Sequence, residues 1–151
     1  MKNHQCLLVE SNSPYTSSID LTRKRMGVQA ESSAEHALDQ NVDFKNSLSS
    51  IIQVDTYLKG IMELNNNTID ALAIDEIVAR YYIKQTDGKF KIICNEDGEI
   101  FSLADEEYVI GFRKYDNSLK SKIEQILKEL SYDGTLCKIS YKWFDADITI
   151  V

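Results

Sequence analysis

Two stretches of the chain bring together residue types that can bind charge. In Met26-Gly27-Val28-Gln29-Ala30-Glu31-Ser32-Ser33-Ala34-Glu35 an apolar run gives way to two serines and then to a helix-forming segment. A helix start exposes backbone N–H groups and the positive end of the helix dipole, and hydroxyls add donors, so Ser32 and Ser33 suit an anion. In Ile69-Asp70-Ala71-Leu72-Ala73-Ile74-Asp75-Glu76 an apolar run ends on a carboxylate, Asp75, which can hold a cation. In open α/β sheets ligands sit outside the carboxyl ends of the strands, where both sets of residues would fall. Gln29 ends the first run, where it can touch a ligand side chain or simply face the sheet edge. Both serines and Asp75 also fit ordinary helix N-caps, and Ser32 with Glu35 fits the Ser-x-x-Glu capping box. An anion subsite beside a cation subsite describes a free α-amino acid.

The elements that must position these residues follow from periodicity. Cys6–Val9, Lys24–Gln29, Ser50–Val54, Ala71–Ile74 and Phe90–Cys94 read as strands. Ala71–Ile74 is apolar without a break, as in a strand covered on both faces. Between them, Ser32–Gln40 has Ala34, Ala37 and Leu38 at helical spacing. Asp55 is placed to cap a helix carrying Tyr57, Leu58, Ile61, Met62 and Leu64, and Glu76–Lys84 forms a third. Strands alternating with helices of about ten residues indicate βαβ units and a mostly parallel sheet. The pattern then changes. Glu107–Arg113 reads as a strand, Asn117–Leu130 as a helix with Leu119, Ile123, Ile126, Leu127 and Leu130 on one side, and Asp133-Gly134-Thr135 as a turn into a last helix that packs through Trp143.

Composition narrows the function. With 27% charged and 43% hydrophobic residues the chain should fold. A net charge of −7, from 17 basic against 24 acidic residues, speaks against nucleic acid and anionic membranes as partners. Three cysteines, Cys6, Cys94 and Cys137, form no CxxC pair, and two histidines, His4 and His36, are too few for a His-rich metal site. No cofactor is implied. Catalysis has little support, because no histidine falls in a triad arrangement with the serines or Asp75. No apolar stretch approaches the roughly 18 residues of a membrane span, and Met1–Gln5 leads into too short an apolar run for a secretory signal.

Four segments, in order, resemble the polar amino-acid family of extracellular solute-binding proteins, the receptors of ABC importers. They are Cys6–Val9 with the loop and run Ile19–Gln29, then Ile69–Asp75, then Tyr108–Lys114, and last Leu130–Phe144. The resemblance implies an α/β fold of the periplasmic-binding-protein-like type II. Here it would be one lobe with a mostly parallel central sheet and a C-terminal two-helix tail. Residues 1–10 would form the first hinge strand and 11–106 the second lobe. Residues 107–151 would form a return strand and helices that pack on a first lobe this chain lacks.

The resemblance assigns Asp75 to the ligand's α-ammonium and Ser32 and Ser33 to its α-carboxylate. It implies capture of a polar amino acid for a transporter permease, outside the cell or in the periplasm, without chemistry. Binding by this chain alone would be weak. A non-binding remnant that serves in assembly, or a dehydratase-type enzyme on the same architecture, are the competing readings. One departure stands out: Glu31 replaces the family's usual Gly. Glycine tolerates φ > 0 and close approach of a ligand, so Glu31→Gly should ease anion binding, with a slight loss of stability through chain entropy. The apolar stripe from Leu119 to Leu130, deprived of a first lobe, points to a homodimer.

Overall fold

The computed structural model describes all residues, Met1–Val151. They form two compact units, His4–Asp105, and Met1–Asn3 with Glu106–Val151. In chain order the strands are β1 (Lys2–Glu10), β2 (Arg25–Gln29), β3 (Ser50–Val54), β4 (Ala71–Asp75), β5 (Phe90–Ile92) and β6 (Ser102–Glu107). The helices are α1 (Ser33–Gln40), α2 (Val42–Ser47), α3 (Tyr57–Asn65), α4 (Glu76–Gln85), α5 (Asn117–Tyr132) and α6 (Thr135–Phe144), with one 3-10 turn at Ile19–Leu21.

The sheet runs β3-β2-β4-β1-β5, with β6 also paired to β1. β3 and β4 lie parallel to β2, as the βαβ pattern requires, whereas β1 is antiparallel to both β4 and β5. The sheet is therefore mixed, parallel in the half that carries the strand-to-helix junctions. Alternation along the strands divides the core in two. Leu7, Val9, Met26, Val28, Ala71 and Ala73 face α1 through Ala34, Ala37 and Leu38. Cys6, Leu8, Leu72 and Ile74 face the other way, with Ile61 and Leu64 of α3 and Ala79 of α4. Each large side chain so buried contributes roughly 1.5–3 kcal/mol. Gly60 brings α3 against β4: a Cβ there would stand 2.7 Å from Leu72 Cδ1.

Several expectations need correction. The helix α2 was not foreseen. The cap of α3 is Thr56, whose hydroxyl accepts the Lys59 N–H, and not Asp55. The strand expected at Glu107–Arg113 is β6, which ends where that segment begins. Tyr108 N donates to Met1 O, and no strand runs alongside the residues beyond it. Val109 and Ile110 have β-forming side chains, but without a ladder they are irregular and exposed.

In the second unit α5 and α6 meet at Asp133-Gly134, where Gly134 has φ +77° and Asp133 Oδ1 accepts the Thr135 N–H at 2.8 Å. Ser140 donates to Ala146 O and accepts from Ile148 N, and Lys2 N donates to Ile148 O. No residue of α5 is fully buried; Leu119 and Ile126 are about half exposed. Trp143 does not pack as expected. It is 53% exposed, with the Lys142 ammonium 5.6 Å from its ring centre. No helix is long and apolar enough to cross a membrane.

Candidate functional site

Because β2, β3 and β4 are parallel, their carboxyl ends share one edge of the His4–Asp105 unit. The register pairs Gln29 with Val54, and Val28 with Ala73. Each strand runs into a helix: β2 into α1, β3 into α3, β4 into α4. Three helix starts, each carrying about half a positive charge, therefore gather at this edge. β1 is antiparallel to β4 and places Gln5 opposite Asp75.

At the first junction Ser32 caps α1. Its hydroxyl accepts the Glu35 N–H at 3.2 Å and donates to Gln29 O at 2.7 Å. Glu35 reaches back, but its Oε2 takes the N–H of Glu31 at 2.7 Å, one residue before the capping-box position. The other oxygen accepts from Gln53 Nε2. Glu31 lies in the left-handed region, φ +57°, where glycine is favoured. Ser33 is exposed at the first helical position, and the first N–H groups of a helix have no intrahelical partner. Gln29 turns toward β3, its Nε2 donating to Asp55 O at 3.3 Å.

At the second junction Asp75 occupies the N-cap position of α4, with φ −58° and ψ 133°, yet its side chain makes no cap bond. Oδ1 accepts from Gln5 Nε2 at 2.6 Å and Oδ2 from the Tyr57 hydroxyl at 3.2 Å. Burial first, then the Asp75 charge and the bond to it, push the Tyr57 phenol well above its ordinary pKa. Tyr57, from the start of α3, thus reaches the aspartate junction. The neighbouring Glu76 is buried and paired with Arg80 Nε at 2.6 Å, while His4 Nδ1 meets Asp105 at 2.8 Å. That contact first, then the Ser102 hydroxyl, holds the Asp105 carboxyl below its usual range.

His36, on the exposed side of α1, contacts Gln40 and no serine hydroxyl. No three His, Cys, Asp or Glu side chains converge as a metal site would. A concavity of about 230 Å³ lined by Glu10, Ser13, Tyr15, Asn67 and Asp70 lies at the opposite end of the sheet. The strand-end site is instead an open surface.

No family model matches the chain. It is 31% identical over 133 residues to the L-cystine-binding protein TcyJ of Escherichia coli strain K12, covering 86% of this chain and 45% of that one. It is 30% identical over 157 aligned positions to the arginine-binding extracellular protein ArtP of Bacillus subtilis, covering 96% and 54%. The structure of an ABC uptake transporter substrate-binding protein from Streptococcus pneumoniae with bound histidine matches at a TM-score of 0.77 and 31% identity, over all of this chain and 61% of that chain. The chain is homologous to part of the solute-binding proteins of amino-acid ABC transporters. It spans about half the length of the curated relatives it matches. Its open α/β sheet matches the type II solute-binding-protein fold.

The structure gathers Ser32, Ser33, Gln29 and Asp75 at one edge, and adds Gln5 and Tyr57 as partners of Asp75. Sequence reasoning counted Tyr57 among the apolar residues of α3 and left Gln5 in a polar lead-in. A fully buried glutamine beside the run Cys6–Val9 was a weak signal, since a buried amide must find a partner. Nothing local marks Tyr57 as a partner of a carboxylate 18 residues further on.

Proposed function

We propose that the strand-end edge of the His4–Asp105 unit is one half of an amino-acid site. Asp75 meets the ligand's α-ammonium in a charge-assisted bond. The α1 start at Ser32 and Ser33 meets its α-carboxylate, and Gln29 borders its side chain. The observation that carries this reading is the Asp75 carboxylate, drawn off its capping position and anchored through both oxygens beside the Ser32 junction. The histidine bound in the Streptococcus pneumoniae structure supports an amino acid as the ligand class. The whole protein captures a polar amino acid by closure of two lobes, in the extracellular or periplasmic space, and delivers it to an ABC transporter permease. It binds its ligand without making or breaking bonds. Pairing of two copies through the half-exposed face of α5 belongs to the same reading; a constant monomer mass in light scattering across a concentration series refutes it.

The test is a ¹H–¹⁵N NMR titration with a panel of amino acids. Half a site gives a Kd of about a millimolar or weaker, near −4 kcal/mol. Asp75→Ala abolishes that binding, and α-hydroxy acids, which lack the ammonium, do not bind the unaltered chain. Equal shifts in the Asp75→Ala variant would overturn the assignment.

A further inference from the structure

Asp75 follows β4 and precedes α4, the place where an aspartate ordinarily caps a helix. A capping carboxylate would accept the N–H of Ile77 or Val78 in the first turn of α4. Asp75 does not, although its backbone is placed for it. Its oxygens lie instead on Gln5 Nε2, 2.6 Å away, and on the Tyr57 hydroxyl, 3.2 Å away. Gln5 is wholly buried and stands directly opposite Asp75 in the ladder of β1 and β4. Tyr57 opens α3, and its ring packs on the apolar cluster that includes Ile74 and Leu72. The two donors come from different elements, and neither belongs to α4.

We infer that Gln5 and Tyr57 are positioning residues that hold the Asp75 carboxylate off the first turn of α4 and fix it beside the start of α1. The inference rests on the reading that Asp75 meets an ammonium, and it explains how that carboxylate is kept ready. A carboxylate that alternated between capping α4 and facing a ligand would bind with an affinity reduced by the fraction of time spent as a cap. A bond to the carboxylate is charge-assisted in either place, so the difference lies in number: two outside donors, from Gln5 and Tyr57, against the one backbone N–H of the cap.

The test uses Tyr57→Phe, which removes only the hydroxyl, Gln5→Met, which removes the amide and keeps an unbranched chain, and the two combined. The deciding readout needs no ligand: amide hydrogen exchange at Ile77 and Val78. In the double variant the released carboxylate caps α4, and exchange at Val78 slows about fivefold relative to Ala79, the factor that a cap of about 1 kcal/mol represents. Asp75→Ala in the otherwise unaltered chain leaves that exchange where it was. With L-histidine or L-arginine as titrant, each single variant weakens binding about threefold to tenfold. Where the double variant is too unstable to measure, Tyr57→Phe alone gives the same slowing at smaller amplitude. Unchanged Val78 exchange in the variants overturns the inference whatever the affinities do. Binding that survives Asp75→Ala overturns the ammonium assignment instead, and the Val78 readout is unaffected by it.

Discussion

The replacement Glu31→Gly should stabilise the chain, because of one backbone angle. Glu31 has φ +57° and an exposed side chain. A residue with a Cβ in the left-handed region costs roughly 1–2 kcal/mol. Glycine removes that cost but adds about 0.5–1 kcal/mol of chain entropy in the unfolded state. The hydrogen bond at this position, from the Glu31 N–H to Glu35 at 2.7 Å, uses the backbone and survives. The net gain is about 0.5–1 kcal/mol, or a rise in melting temperature of about 1–4 °C for a chain of this size. The sequence-based expectation had the opposite sign, since the chain entropy was weighed without the strain. Urea denaturation of the unaltered chain, Glu31→Gly and Glu31→Ala separates the contributions. Alanine removes the carboxylate beside Glu35 and keeps the strain, so it should change stability by only a few tenths of a kcal/mol. Glycine should exceed alanine by about 0.5–1 kcal/mol. A glycine variant less stable than the alanine variant would refute the strain argument.

Three further outcomes follow from the packing. Gly60→Ala should destabilise by about 1 kcal/mol in urea denaturation: alanine gains about 1 kcal/mol of helix propensity, but its Cβ would press on buried Leu72, and overpacking costs about 1–3 kcal/mol. Thr56→Ala should cost about 1 kcal/mol of stability as a lost cap, while Asp55→Ala should stay within about 0.5 kcal/mol; the reverse result would restore Asp55 as the cap. Asp70 accepts from Arg25 Nε at 2.9 Å, Nη2 at 3.0 Å and the backbone N–H at 2.8 Å, and the Arg25 side chain is the chief cause that holds its carboxyl below the ordinary value. A lowered folded pKa contributes stability that is complete above the unfolded value of about 3.9 and is lost as pH falls through the lower folded value. Asp70→Asn should therefore be less stable than the unaltered chain at pH 7, with the gap closing as pH falls below the unfolded value and through the lower folded one; a gap constant from neutral to strongly acid pH would contradict it.

What the sequence determined by itself is local. The β2–α1 junction, with Ser32 capping and Glu35 reaching back, is written within five residues, and the alternation of apolar runs with helical stripes marks β2, β3, β4 and the helices between them. A turn or a strand needs only neighbouring residues to declare itself, so periodicity and capping chemistry suffice. The strand at Glu107–Arg113 failed because β propensity does not supply a partner: pairing ended at Tyr108, and Val109 and Ile110 were left without a ladder. Trp143 failed likewise, since periodicity identifies an apolar side chain but not what covers it. Asp75 was legible as a candidate, but not the choice between capping α4 and facing outward. That choice was decided by Gln5, 70 positions earlier across the β1–β4 ladder, and by Tyr57 from the start of α3. The direction of β1 and the φ of Glu31 belong to the same class. Register, strand direction and the partner of a half-buried carboxylate depend on which distant elements pack together, and only the folded chain brings those elements within a hydrogen bond of one another.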